Sequence, residues 1–221
     1  MTRYALLFDL DGTLVESDPL HLKAFNSLLE KYGMPTMSEL DYRKRVQGRS
    51  NPEIMRDLFP SLPRQHIELA DEKENIFRKS LGSDVQPMQG IAELLDWAEA
   101  EGVATGVVTN APRANMEAML GATRLEGRFE AMIVGEECDR AKPDPMPYQT
   151  AMAELKATPS QSIAFEDSGS GLRSARNAGA HVFGLTSSLA PNELVQAGAH
   201  QTIDDFTDPA LWARIRTLKA N

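Results

Sequence analysis

The chain has 221 residues, room for one core domain with an inserted subdomain, and its 42% hydrophobic and 25% charged residues are those of a globular protein. A net charge of -9 argues against a duplex-binding surface, which needs clustered Lys and Arg, and the single cysteine, Cys138, excludes an internal disulfide and a Cys-rich zinc site. Met1 to Leu10 is too short an apolar stretch for a signal peptide, and no run reaches the roughly 20 apolar residues of a spanning helix, so the expectation is a cytoplasmic protein with no nucleic-acid and no membrane partner.

Tyr4 to Leu10 reads as a short buried strand that runs directly into Asp9-Leu10-Asp11-Gly12-Thr13-Leu14. A lone Asp after a strand is usually a helix cap, but two carboxylates two residues apart, followed by Gly-Thr, are not explained by capping. From about Ser17 to Val85 no convincing strand occurs. One helix is predicted to begin with Asp18 as N-cap and Pro19 at the first helical position, to bury Leu22, Phe25, Leu28, Leu29 and Tyr32, and to end at Gly33. Further helices are predicted around Pro52 to Leu58 and Arg64 to Leu81, with Gly82 to Gly90 as a return linker. Lys73, Arg78 and Lys79 read as solvated helix charges.

Beyond the linker, Ile91, Leu94, Leu95 and Ala98 recur at helical spacing, and Val103 to Thr109 is a strand that opens onto Asn110 and a helix over Ala111 to Leu120. Ala131 to Gly135 is another strand. Lys142-Pro143-Asp144-Pro145 precedes a helical pattern of Tyr148, Met152 and Leu155. Ser162 to Phe165 is a strand leading into Glu166 and Asp167, and a helix is expected over Gly171 to Ala178. His181 to Leu185 and a short stretch at Thr202 and Ile203 complete the sheet. Strands alternating with helices imply a doubly wound parallel sheet with its site outside the carboxyl ends of the strands. The fold class is therefore α/β, with a core formed by residues 1–16 and 86–221 and a helical insertion at 17–85.

Asp9 to Val15 resembles the Asp-x-Asp-Gly-Thr-Leu-Val signature of the haloacid dehalogenase superfamily, in its phosphatase and phosphomutase branch. Val107 to Asn110, Lys142 to Pro145, and Phe165 to Ser168 with Gly169 and Gly171 resemble that family's remaining three motifs, in order. Taken singly, each has a plainer reading: Thr109-Asn110 as a helix cap, Lys142 as a solvated lysine, Glu166 and Asp167 as capping carboxylates. Jointly they are far more specific.

The resemblance implies a Rossmann-like core with a first-type helical cap. It implies Asp9 as nucleophile, Asp11 as general acid and base, and Lys142 as the cation paired with the nucleophile. Thr109 and Asn110 would contact the phosphoryl group. Asp9, the backbone carbonyl of Asp11, Glu166 and Asp167 would hold Mg2+, which suits hard oxygen ligands. In the cap, His21 is a candidate for orienting Asp11 or the substrate, and Arg49 in Gly48-Arg49-Ser50-Asn51 is a candidate for a phosphate or carboxylate. The activity implied is magnesium-dependent hydrolysis of a small phosphorylated metabolite, with a β-phosphoglucomutase-like hexose-phosphate mutase as the alternative. A degenerate metal- or partner-binding module is the reading from another class.

Overall fold

The computed structural model describes residues 3–47, 49–82 and 85–216. These fall into two compact units, Ser17–Val85 on one side and Met1–Glu16 with Gln86–Asn221 on the other. In chain order the elements begin with β1 (Arg3–Phe8), α1 (Asp18–Lys31), α2 (Glu39–Arg45), α3 (Asn51–Leu58) and α4 (His66–Ser80). There follow α5 (Ile91–Ala100), β2 (Ala104–Thr109), α6 (Arg113–Ala122), β3 (Ala131–Val134), α7 (Met146–Glu154) and β4 (Ala157–Glu166). The chain continues through α8 (Gly169–Asn177), β5 (His181–Leu185), α9 (Pro191–Ala197), β6 (Gln201–Ile203) and α10 (Pro209–Ile215). No helix among the described residues is long and apolar enough to cross a membrane.

The six strands form one parallel sheet in the order β3-β2-β1-β4-β5-β6, the doubly wound arrangement that the alternation predicts. Both faces are covered, which is why the strands read as nearly continuous apolar runs. On one face, Ala5, Leu7, Val108, Ala164 and Val182 meet Tyr148, Ala151 and Met152 of α7 and Leu172 and Ala175 of α8. On the other, Phe8 is in register with Phe165, and Phe165 with Phe183. The rings stack at 4.9 and 5.7 Å between centroids, and Phe206 packs edge-on against Phe8 and Phe165. That ladder sets the level at which the next residues, Asp9 and Glu166, leave the sheet.

β4 begins five residues earlier than the apolar run Ser162 to Phe165 suggests. Its outer half, with Thr158, Ser160 and Gln161, is polar, and a register shift separates the pairs Arg3 with Ala157 and Ala5 with Ser162. β1 ends at Phe8 rather than Leu10, because the backbone turns at Asp9 into the motif loop.

The helical unit has its own core, formed by Phe25, Leu28 and Leu29 of α1 with Tyr42, Ile54, Met55, Leu58 and Leu69. The N-cap of α1 is Ser17, not Asp18. The Asp18 carboxylate instead accepts from Tyr42 Oη at 2.9 Å and Gln47 Nε2 at 2.6 Å, tying α1 to the end of α2. Gly33 takes φ +66°, as expected of a residue that ends a helix. Sequence periodicity overlooks α2, which starts at a capping box in which Asp41 N donates to Ser38 Oγ at 3.1 Å. Lys73 departs from expectation altogether: it lies on the Leu69, Lys73, Phe77 stripe of α4 and is 3% exposed rather than solvated.

At the far edge of the sheet, His200 grips β5 twice, its backbone N–H on Val182 O at 2.8 Å and its ring Nδ1 accepting from Val182 N–H at 2.9 Å. His181 stacks on it at 4.5 Å. Burial first, and then the charges of His200 and Arg214, lower His181 to about 4, and burial and Arg176 lower His200 as well. A histidine whose folded pKa is depressed is protonated first in the unfolded chain, so stability rises with pH between about 4 and the ordinary 6.5. From pH 7 to pH 5 the urea midpoint of the parent should therefore fall relative to that of the double variant His181→Gln with His200→Gln, in which this contribution is absent. Equal slopes in the two proteins would refute the linkage.

Candidate active site

Four stretches of chain converge at the carboxyl edge of β1, β2 and β4. Asp9 follows β1, its N–H bonded to Phe165 O at 3.0 Å. The next residues wind into a tight turn around one carbonyl, with Leu14 N and Val15 N both donating to Leu10 O at 2.9 and 3.1 Å. Gly12 has φ +71°, and a Cβ there would lie 2.1 Å from Asp167 Oδ2, so only glycine allows the loop and the β4 end to approach this closely. Ser187 Oγ, just past β5, donates to Gly12 O at 2.5 Å. Asp11 is half-buried in this turn.

Lys142 arrives from the loop between β3 and α7 and is the hub. Its Nζ donates to Asp9 Oδ1, Glu166 Oε1 and Val108 O, each at 2.6 Å, which uses all three ammonium protons. Asn110 places its backbone: Asn110 Nδ2 donates to Lys142 O and Lys142 N–H to Asn110 Oδ1, both at 3.2 Å. These two bonds leave the Asn110 amide a second N–H, and the residue is exposed. Thr109, 1% exposed, accepts from Ala111 N–H at 2.9 Å, and its own hydroxyl proton remains to be donated.

Glu166 is wholly buried at the end of β4. Besides Lys142 it accepts from Tyr148 Oη at 2.8 Å and Ser168 Oγ at 3.1 Å. Gly171 gives it room, since a Cβ there would stand 1.9 Å from Glu166 Oε1. Ser188 Oγ donates to Asp167 Oδ2. Of these, Tyr148 is disguised in the sequence as an apolar position of α7, and Ser187 and Ser188 carry no local signal at all.

One lysine faces three carboxylates. Asp9, Glu166 and Asp167 each offer an oxygen within 4.8 Å of the others. Burial, followed by the Glu166 charge, raises Asp9 to about 8 against the pull of Lys142. Burial alone would lower Lys142, but Asp9 and Glu166 outweigh it and hold the ammonium above its ordinary value. The excess of buried negative charge and the all-oxygen donor set are what a hard divalent cation relieves. The residues therefore fit a metal of that type. The Asp11 side chain is not in this trio.

In the helical unit, described by itself, His21 stacks on Phe77 at 4.0 Å, and its Nδ1 lies 2.9 Å from Lys73 Nζ. Lys73 also donates to Glu74 Oε1 at 2.9 Å and sits 4.7 Å above the Phe25 ring. Burial pushes the Glu74 carboxyl up, but Lys73, His21 and Asn51 outweigh it and leave it below its ordinary value. Arg49 is turned onto its own neighbours, Arg45 O at 2.6 Å, Glu53 O at 3.3 Å and Asp57 Oδ2 at 3.4 Å. Gly48, its predecessor in the proposed contact loop, lies outside the described residues.

Comparison with known proteins places the chain in a family. The family described as haloacid dehalogenase-like hydrolase matches residues 6–185. The protein CbbY of Rhodobacter capsulatus is 35% identical over 98% of this chain and 94% of its own. A phosphorylated carbohydrates phosphatase of Thermotoga maritima is 29% identical over 88% of this chain and 91% of its own. The crystal structure of a CbbY variant from Rhodobacter sphaeroides, in complex with xylulose-(1,5)bisphosphate, superimposes with a TM-score of 0.82 at 27% identity, covering 94% of this chain and 96% of that one.

Gly171 provides a direct check on the geometry. Gly171→Ala should leave the circular dichroism spectrum unchanged while expelling the Glu166 carboxylate, and turnover should fall about 10–100-fold, the range seen when a group that orients a metal ligand is lost. Gly169→Ala, whose Cβ would meet nothing closer than 3.4 Å, serves as the control and should stay near the parent rate. Equal rates in the two variants would show that Glu166 has slack that the structure does not.

Proposed function

Because the chain belongs to the haloacid dehalogenase-like hydrolases, we propose that it is a magnesium-dependent phosphatase acting on a phosphorylated sugar or related small phosphomonoester. The observation that carries this reading is the buried cluster in which Lys142 bridges Asp9 and Glu166 beside Asp167. The substrate class is supported by the named relatives, one a phosphatase of phosphorylated carbohydrates and one solved with a sugar bisphosphate.

Asp9, Glu166 and Asp167, with the Asp11 carbonyl, are the groups that would hold the Mg2+. When bound, the ion supplies positive charge against the phosphoryl oxygens and keeps the carboxylates ionised. Lys142 occupies Asp9 Oδ1, so we assign Oδ2 as the attacking atom. As Oδ2 bonds to phosphorus, the bond from phosphorus to the ester oxygen breaks, and Asp11 passes its proton to the departing alkoxide. Asp11, now a carboxylate, takes a proton from water, whose oxygen displaces Asp9 and releases inorganic phosphate. Two carboxyl groups are required because one that has become an acyl phosphate cannot also carry the proton. The Thr109 hydroxyl is assigned to a phosphoryl oxygen, and the Lys142 charge is worth roughly 4 kcal/mol to the cluster at about 4 Å and an effective dielectric near 20, before desolvation.

A panel of phosphorylated metabolites assayed with Mg2+ should show release of inorganic phosphate over many turnovers without a bisphosphate activator. Asp9→Asn should abolish turnover, by on the order of 10⁴-fold or more. Asp11→Asn should lower it about 10²–10⁴-fold while substrate still binds. Isomerisation of a hexose phosphate, dependent on priming by a bisphosphate and with little phosphate release, would replace the hydrolase reading with the mutase one. No turnover across the panel would leave the metal- or partner-binding module.

A further inference from the structure

Tyr148 has no chemical role in the reaction as written above. Its side chain is wholly buried in α7 among the apolar residues that line the sheet. Its hydroxyl donates to Glu166 Oε1 at 2.8 Å, the oxygen that also receives Lys142 Nζ at 2.6 Å. Its ring lies beneath that same ammonium, 5.2 Å from Nζ to the centroid. One side chain therefore touches both partners of the buried ion pair, from the layer behind the site.

Space-filling alone would be served as well by phenylalanine, and a buried hydroxyl is costly unless it is bonded. Here it bonds to a carboxylate that already has a cation. Two donors on Oε1 restrain the rotation of the carboxyl group, in the room that the absence of a Cβ at Gly171 leaves for it. The remaining oxygen, Oε2, accepts only the longer bond from Ser168 at 3.1 Å. From this the geometry points to Tyr148 as a positioning residue for the metal: its hydroxyl pins Glu166 Oε1 beside Lys142 and leaves Oε2 as the oxygen Glu166 offers to a divalent cation shared with Asp9 and Asp167. Without the hydroxyl Oε1 keeps Lys142 as its one donor, and the carboxylate can turn against only that contact and the longer bond from Ser168. This rests on the reading of the acidic cluster as a metal site, and not on which ester is hydrolysed.

The test is calorimetric titration of Mg2+ into the full, metal-free chain with no substrate present, alongside the Mg2+ dependence of turnover. In Tyr148→Phe the ring remains and only the hydroxyl is lost. Its Mg2+ dissociation constant should rise about 10-fold, and the half-saturating Mg2+ of turnover by the same factor, while kcat at saturating Mg2+ stays within about 3-fold of the parent. Should Tyr148→Phe fail to fold, Tyr148→Gln and Tyr148→Leu pose the same question with and without an N–H donor, and the Gln variant should bind Mg2+ the more tightly. Mg2+ affinity that is unchanged in Tyr148→Phe, or equal in the Gln and Leu variants, would reduce Tyr148 to packing and overturn the proposal, with the phosphatase reading intact. A parent protein that takes up no Mg2+ would overturn the metal reading and this proposal together.

Discussion

Everything at the carboxyl edge of the sheet follows from one buried ammonium. Taking a lysine and a carboxylate out of water costs several kcal/mol for each ion, and the cost is recovered only when every donor is placed. Lys142 meets that condition with Asp9, Glu166 and the Val108 carbonyl. Those partners sit at the ends of three adjacent strands, so the sheet must be in register for the lysine to be satisfied; one residue behind, Phe8 stacks on Phe165 between β1 and β4 and is in register with Val107 of β2. Asn110 then fixes the lysine backbone, and Gly12 and Gly171 are glycines because the carboxylates they face leave no space for a Cβ. Removing one partner would strand a buried charge, a change typically worth 3–5 kcal/mol.

The helical unit solves a similar problem differently. Lys73 is also buried, also set against an aromatic ring and also paired with a glutamate, but it leans on His21 where Lys142 leans on a second carboxylate. The cluster around Lys73 pairs one cation with one anion, with the His21 ring beside them. The cluster around Lys142 is not balanced. Asp9, Glu166 and Asp167 together bring three negative charges against the one positive charge of Lys142, a formal excess of two.

How far all this was legible in the sequence depends on whether the signal was local. Strands buried on both faces announce themselves as apolar runs, and His181–Leu185 is found to the residue. The acidic pair in the first motif is legible because capping does not explain two carboxylates, while the lysine in the third and the acidic pair in the fourth have plainer readings singly and are legible because the motifs occur together and in order. Tyr148 was hidden for the opposite reason, since tyrosine at a helical apolar position needs no explanation until its hydroxyl partner is seen. Lys73 departs from the solvated expectation because position outweighs charge: Leu69, Lys73 and Phe77 are spaced one turn apart, so the lysine lies on the buried stripe. Ser187 and Ser188 touch Gly12 and Asp167 across some 175 and 21 residues of sequence, respectively, a relation that no window along the chain contains.

The imbalance at the site has a consequence for the order of events. A phosphate monoester is itself an anion, and the cluster as built would repel it, the more so because the whole chain carries a net charge of -9. A divalent cation cancels the formal excess of two and turns a repulsive edge into one that an anionic ester can approach. Metal and ester should then favour one another's binding, and by linkage each must raise the other's affinity by the same factor. The same burial that makes the unbalanced cluster costly excludes the water that would screen it, so the cost of building the site in a dry interior is also what makes it favour the loaded state.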